Sequence, residues 1–261
     1  MRAAARSMPE VSVILPAHDE EENIGRAISL VHRIMKGLSY DHEIVVVDDG
    51  SSDNTFSEAV KARSSLELES LVKVVRYAPN RGKGYAIRKG FENSRGDYVV
   101  FIDSDLDISP NHLGHYVGAL RGADIVAASK FHPDSRVESP AMRKVLSLAY
   151  HWLARLLLGI SVTDTQAGLK AFKREALEKV MSAMVVKRYA FDAEVFAIAE
   201  ICKFKVKELP VHINLRAGFS GRNVAGMLVD LLGIAYRKRV KHYYQKILES
   251  RAGAAYRRPP R

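Results

Sequence analysis

The stretch Val11-Ser-Val-Ile-Leu-Pro-Ala-His-Asp-Glu-Glu-Glu-Asn-Ile24 decides the fold. Val11 to Leu15 is a short apolar, β-rich run that stops at Pro16, which reads as a strand. Acids follow, and between Glu20 and Met35 apolar residues recur at Ile24, Ala27, Ile28, Val31 and Ile34, a helical spacing with acids in its first turn. Working outward, Ile44–Val47, Val72–Tyr77, Tyr98–Ile102 and Asp124–Ala128 are further strand candidates, each bounded by Pro, Gly, Asp or Asn. The alternation predicts an α/β fold: a Rossmann-like, mainly parallel open sheet with helices on both faces. Ligands of such sheets sit at the carboxyl ends of the strands, so the chemistry is sought there.

Three strand ends carry acidic or turn-forming clusters: Pro16–Asn23, Asp48-Asp49-Gly50-Ser51 and Asp103-Ser104-Asp105-Leu106-Asp107. Singly, each is explained by turns and helix caps. Together they would crowd like charges on one rim unless cations or donors were present. In an extended segment alternate side chains share one side, so Asp103, Asp105 and Asp107 can converge on one hard divalent cation, Mg2+ or Mn2+. A solvated acidic turn is the equal alternative. Asn80-Arg-Gly-Lys-Gly-Tyr-Ala86 follows the third strand and opens a helix, offering backbone donors and two cations, Arg81 and Lys83, to a phosphate. Ile87 stands where the dinucleotide fingerprint needs its third Gly, and no GxxxxGK[ST] occurs, which disfavours NAD enzymes and P-loop NTPases.

With these segments in view, the chain resembles family 2 glycosyltransferases of the GT-A type, specifically the dolichyl- or polyprenyl-phosphate hexosyltransferases. The matching segments are Val13–Ile24, Val46–Asp53, Asn80–Gly84, Asp103–Asp105, Asp164–Lys170 and Phe191–Glu194, in family order over roughly residues 11 to 225. The resemblance implies that Pro16, His18, Glu20, Asp48 and Asp49 hold the nucleotide base and ribose. Asp103 and Asp105 would bind metal and diphosphate, with Asp107 as third metal ligand. Lys83 and Gln166 fall in substrate-binding motifs. Lys130, Arg143, Arg216, Ser220 and Arg222 fall where relatives place contacts to the lipid phosphate and donor. Asp192 and Glu194 are candidates for sugar-hydroxyl contacts or a base; Asp105, Arg143 and Asp192 are the expected catalytic set. His18 departs from the usual first motif, and the late motif is compressed to Arg216-Ala-Gly-Phe-Ser-Gly-Arg222.

The implied reaction is metal-dependent, inverting transfer of a hexose from a nucleotide sugar to dolichyl or polyprenyl phosphate. UDP-glucose is favoured because the Asn80, Asp164 and Phe191 motifs look like the glucosyl branch. The alternatives are GDP-mannose-dependent dolichol-phosphate mannose synthesis and a family 2 transferase with a soluble acceptor.

The 261 residues are 47% apolar, enough for a globular core, and carry a formal charge of +10. Arg237 to Arg261 holds nine basic residues against the single acid Glu249, so the body is nearly neutral. Beyond Pro140 the pattern changes to amphipathic helices. Met142, Val145, Leu146, Ala149, Trp152, Leu153, Leu156 and Leu157 share one face; a probable strand, Lys205–His212, and a second helical stretch, Val224–Tyr244, follow. We expect a catalytic domain over 8–222, an amphipathic membrane-interface helix over 223–250 and a disordered basic tail over 251–261. An anionic membrane surface is the expected partner of the charge, with contact peripheral or through a membrane-protein partner. Nucleic acid is rejected, because no RNA- or DNA-binding pattern accompanies the charge. The single Cys202 excludes an internal disulfide and a thiolate zinc site, and no signal peptide or spanning run is read, so the expected location is cytoplasmic, at the cytoplasmic face of a membrane.

Overall fold

The computed structural model describes residues 8–38, 40–188, 190–214 and 221–252. β1 (Val11–Ala17) and β2 (His42–Asp49) are buried along their whole length and run parallel, from Val11 opposite His42 to Ala17 opposite Asp48. Their near-continuous Val and Ile content is what a strand covered on both faces requires. β3 (Val72–Tyr77) pairs with β2, and β4 (Tyr98–Ile102) with β1, both parallel. β5 (Ile125–Ser129), β7 (Leu169–Lys173) and β8 (Val206–Pro210) complete a seven-stranded sheet of order β3-β2-β1-β4-β7-β5-β8. β6 (Arg136–Glu138) and β9 (His212–Asn214) form a separate small parallel pair.

The sheet is mainly parallel, as expected, except for β7, which runs antiparallel between β4 and β5. Leu169-Lys-Ala-Phe-Lys173 carries a lysine at its second position, which hides it from a search for apolar runs. That lysine, Lys170, is fully buried because its Nζ donates to Asp192 Oδ1 and to the Ala167 carbonyl, both at 2.7 Å.

Strand residues alternate between two apolar clusters. One face carries α1 (Ile24–Gly37), α2 (Thr55–Ser65) and α4 (Leu113–Ala119), with Ile24, Ala27, Ile28 and Val31 of the predicted helical stripe fully buried. The other carries α3 (Lys83–Glu92), α6 (Arg174–Ala183) and α7 (Phe191–Ile201).

The C-terminal helices join this second face. α5 (Ala141–Leu158) covers the expected stretch. The single helix expected over 224–244 is instead two, α8 (Gly221–Arg239) and α9 (Tyr243–Ala252). The chain turns between them: the amides of Val240 and Lys241 both return to the Tyr236 carbonyl, and His242 adopts a left-handed φ of 48°. The turn folds α9 back, so that Tyr244 is fully buried alongside Met227, Leu231 and Ile234 of α8.

Part of the basic cluster is engaged inside the protein. Lys238 donates to the Leu158 carbonyl, and Arg239 donates to that of Leu156 at 2.7 Å. Both meet the last turn of α5, where carbonyls lack helical partners and the helix dipole favours a cation. Outward, α5 exposes Met142 (71%), Trp152 (59%) and Leu156 (72%), and α8 exposes Val229 and Leu232. Among the described residues no helix is long and apolar enough to cross a membrane. Arg216, Ser220 and residues 253–261 lie outside the described residues, as do the side chains of Arg143 and Arg222.

Candidate active site

A cavity of about 1070 Å3 opens at the rim formed by the carboxyl ends of β1, β2 and β4. Because β7 is antiparallel, its amino end reaches the same rim: Asp103 N donates to the Gly168 carbonyl at 3.2 Å. The Asp164–Gly168 loop and Lys130, just past β5, thereby join the acids of the first half. Pro16, His18, Glu20, Asp49, Lys83, Asp103, Asp105, Asp107, Lys130, Gln166 and Asp192 all line this one cavity.

The acidic end is held by backbone donors. Asp49 accepts from the amides of Arg81 (2.7 Å) and Gly82 (2.8 Å), clamping the loop before α3. Gly82 sits at φ 95°, a backbone state open to glycine, and the clamp brings Lys83 to Asp103, with Nζ 2.6 Å from Oδ1 and 2.8 Å from Oδ2. Burial works against the Lys83 ammonium, but the facing Asp103 outweighs it and holds its pKa above the usual lysine range. Gly168 is required by the same contact, since a Cβ there would fall 1.9 Å from Asp103 Oδ2. Asp48 does not line the cavity: it is buried, accepts from Ser51 N at 2.9 Å and lies 3.1 Å from Arg76 Nε, an ion pair without hydrogen-bond geometry.

Asp103, Asp105 and Asp107 do not converge by strand alternation. The strand ends at Ile102, Leu106 takes a left-handed φ of 61°, and Asp105 Oδ1 accepts from Asp107 N at 3.0 Å. This is a turn rather than an extended segment, and among the described residues no three His, Cys, Asp or Glu side chains gather as a metal cage. Asp105 reaches into the open cavity, yet burial and then the charge of Asp103 push its carboxyl up to about 7. Burial, against the Asn23 hydrogen bond, likewise raises Glu20. The carboxylates of Asp103, which already carries Lys83, and Asp105 form an all-oxygen set that suits Mg2+ or Mn2+, which take few protein carboxylates and complete their shell with water and phosphate oxygens.

The other end is held by ion pairs. Lys130 is engaged with buried Asp164, through its amide to Oδ2 at 2.8 Å and its Nζ at 3.1 Å. Burial opposes ionisation of Asp164, but Lys130 prevails and its pKa is lowered. Asp164 Oδ1 also fixes Gln166 through its amide at 2.8 Å. Asp192 faces the cavity with Lys170 behind it, and burial lowers the lysine's pKa while Asp192 opposes the fall. Glu194, two residues on, lines no part of the cavity; it is fully buried and bonded to the Val185 and Val186 amides and to Tyr244.

Several lining residues were not singled out from sequence. Lys144 and Arg188 add cations, and Phe131, Val137, Val145, Leu148, Ile213 and Met227 form an apolar wall. The signal for Arg188 was a Lys-Arg pair just ahead of Phe191–Glu194; of the apolar wall only Val145 is read from sequence, as part of the apolar face of α5, because Phe131, Val137, Ile213 and Met227 come from separate elements. Val145 and Leu148 belong both to the cavity and to the exposed face of α5, so the apolar wall continues onto the surface.

Residues 12–181 match the sequence profile described as "Glycosyl transferase family 2". Among curated relatives, "Polyprenol monophosphomannose synthase" of Mycolicibacterium smegmatis is 32% identical over 85% of each chain. "Dolichyl-phosphate beta-glucosyltransferase" of Homo sapiens is 31% identical over 78% of this chain and 67% of its own length. "Glycosyltransferase AglD" of Haloferax volcanii is 33% identical over 89% of this chain, which spans 37% of that longer protein. Of solved structures, glucosyl-3-phosphoglycerate synthase from Mycobacterium tuberculosis, in complex with Mn2+, UDP-glucose and phosphoglyceric acid, superposes with a TM-score of 0.67 at 22% identity, covering 87% of this chain and 79% of that one.

Proposed function

This chain belongs to glycosyl transferase family 2, and from that premise we propose that it moves a hexose, in the first instance glucose from UDP-glucose, onto dolichyl or polyprenyl phosphate. It is a glycosyltransferase of GT-A fold. The observation that carries the acceptor is the continuity of the cavity's apolar wall with the exposed face of α5 through Val145 and Leu148. A soluble acceptor would need no such wall; an isoprenoid chain would lie along it. The glucosyl and mannosyl lipid transferases among the relatives support that acceptor chemistry equally, so GDP-mannose is the second reading.

In this reading Pro16, His18, Glu20 and Asp49 take the nucleoside end, with Asp48 bracing the turn behind them. Asp103 and Asp105 would hold Mg2+ or Mn2+, which supplies Lewis-acid neutralisation of the departing diphosphate. Lys83 and Arg188 bring further positive charge to the same end of the cavity. A lipid monophosphate, with a second pKa of about 6, is largely a dianion at neutral pH and attacks without a general base. The chain's task is then to hold that anion in line with the anomeric carbon, a role we assign to Lys144, Arg143, Arg216, Ser220 and Arg222, with Lys130 braced by Asp164. Asp192 is left to orient sugar hydroxyls. Direct displacement inverts the anomeric centre.

We further propose that residues 8–222 form the catalytic unit and that the outward faces of α5 and α8, within and beside the 223–250 segment, seat on an anionic bilayer at the cytoplasmic side. The four arginines of residues 251–261 would add to that attraction. The test supplies labelled UDP-glucose or GDP-mannose to the protein with polyprenyl-phosphate vesicles, with and without Mn2+. Label entering the organic-extractable lipid with one donor, only with metal, supports the reading; label that stays aqueous with both overturns it.

A further inference from the structure

Glu194, in the first turn of α7, divides its two oxygens between distant parts of the chain. Oε2 accepts from the amides of Val185 (3.0 Å) and Val186 (2.7 Å). Oε1 accepts from the Tyr244 hydroxyl of α9 at 2.5 Å and lies 3.5 Å from Arg237 of α8, whose Nε also donates to the Tyr244 oxygen at 3.0 Å. The carboxylate is wholly buried, so every partner it loses is replaced by nothing.

The segment that Oε2 holds is a strap against the start of α3. Arg88 donates to the Met184 carbonyl at 2.8 Å, and Tyr85 N donates to the Lys187 carbonyl at 3.1 Å. A Cβ on Gly82 would lie 2.8 Å from the Lys187 carbonyl oxygen and 3.0 Å from Arg188 Cγ, and one on Gly84 would lie 2.6 Å from the Phe191 ring. The strap is therefore in contact with the loop that Asp49 clamps and from which Lys83 reaches Asp103. It also carries Arg188 to the cavity wall.

We propose that Glu194 is a positioning residue that couples the seating of α8 and α9 to the phosphate-facing loop of the donor site. Through Oε1 it registers where Tyr244 and Arg237 stand; through Oε2 it sets how closely the Val185–Arg188 strap presses on Gly82 and Lys83. The C-terminal helices thus complete the donor site as well as covering the sheet. This inference rests on reading the Asn80–Lys83 loop as part of that site.

The test compares Tyr244→Phe, which removes only the hydroxyl, and Glu194→Gln with the control Tyr243→Phe on the same helix. Hydrogen exchange is followed in peptides covering 82–88 and 184–190, and UDP affinity is measured by calorimetry with Mn2+. In Tyr244→Phe both peptides exchange faster and UDP binds about fivefold more weakly, the equivalent of one lost hydrogen bond; Tyr243→Phe changes neither. Looser exchange confined to α8 and α9, with the 82–88 peptide and UDP affinity as in the parent, overturns the coupling even if the melting temperature falls. Should the parent bind neither UDP nor GDP, the nucleotide reading fails, and the exchange pattern alone decides the coupling. If Glu194→Gln does not fold, Tyr244→Phe still gives the answer.

Discussion

The two ends of the cavity are built by different rules. At the donor end the acids sit within a few residues of their strand ends and are held largely by backbone amides, Asp49 by Arg81 and Gly82 and Asp105 by Asp107, with Lys83 on Asp103. At the opposite end, side-chain charges are paired with one another: Lys130 with Asp164 and, behind the wall, Lys170 with Asp192. Asp103 is shared with Lys83, but Asp105, among the described residues, forms no ion pair and stays open to the cavity, whereas Asp164 and Asp192 are each paired with a lysine. A carboxylate visible in sequence is thus open to the cavity in one case, Asp105, and paired within the fold in the other, Asp164 and Asp192.

That contrast can be broken by mutation. Asp105→Asn should lower turnover by about 100-fold or more, since it removes a negative charge from the proposed metal site, while leaving the unfolding midpoint level or higher because crowding with Asp103 is relieved. Near-normal rates would sink the donor-end reading. Lys170→Met should do the reverse in kind: it leaves Asp192 beside an apolar side chain and should cost about 3–5 kcal/mol in denaturant unfolding, with any surviving folded enzyme retaining UDP binding. Gly168→Ala should fall between them, weakening Mn2+ and UDP binding by displacing Asp103 and costing about 1–3 kcal/mol.

Titration sharpens the comparison further. With its carboxyl pushed up to about 7, Asp105 is largely protonated below that pH, and a metal must displace the proton. Mn2+ affinity should therefore climb between pH 6 and 8 and level off above. Without metal the sign for stability is opposite: the unfolded aspartate titrates near 3.8, so the folded state binds more protons between about pH 4 and 7, and stability declines as pH rises through that window. Calorimetry across pH, with and without Mn2+, checks both. The smallest stability effect is expected on the exposed face of α5. Trp152→Ser with Leu156→Ser should shift unfolding by no more than about 0.5 kcal/mol per site, yet reduce binding to anionic vesicles, as a sedimentation assay would read.

Much of the donor end was legible beforehand because its signals are local. A Val-rich run, a proline and an acidic turn within fourteen residues specify a strand end whatever the rest of the chain does, and the same holds for Asp103–Asp107 and Asn80–Ala86. Even there, the supposed convergence of three carboxylates failed on one backbone angle, that of Leu106, which turns the segment where alternation needed it extended. The second end was poorly legible because its meaning lies in pairing. Lys170 reads as a solvent residue until Asp192 is seen beneath it, Glu194 as a helix-start acid until Tyr244 arrives from fifty residues on, and Lys238 and Arg239 as lipid-facing charges until the last carbonyls of α5 are beneath them.

By itself, then, the amino-acid sequence determined the strand–helix alternation, the rim to which the acids are delivered and the family to which they point, since periodicity and turn chemistry act over a few residues. Tertiary structure alone decided that β7 runs backwards and brings Gly168 against Asp103, that the C-terminal stretch breaks into two helices, and which cations remain for a ligand. Those outcomes depend on where a buried charge finds its partner, and in a low-dielectric interior that choice is made by contact between distant segments rather than by neighbours in the chain.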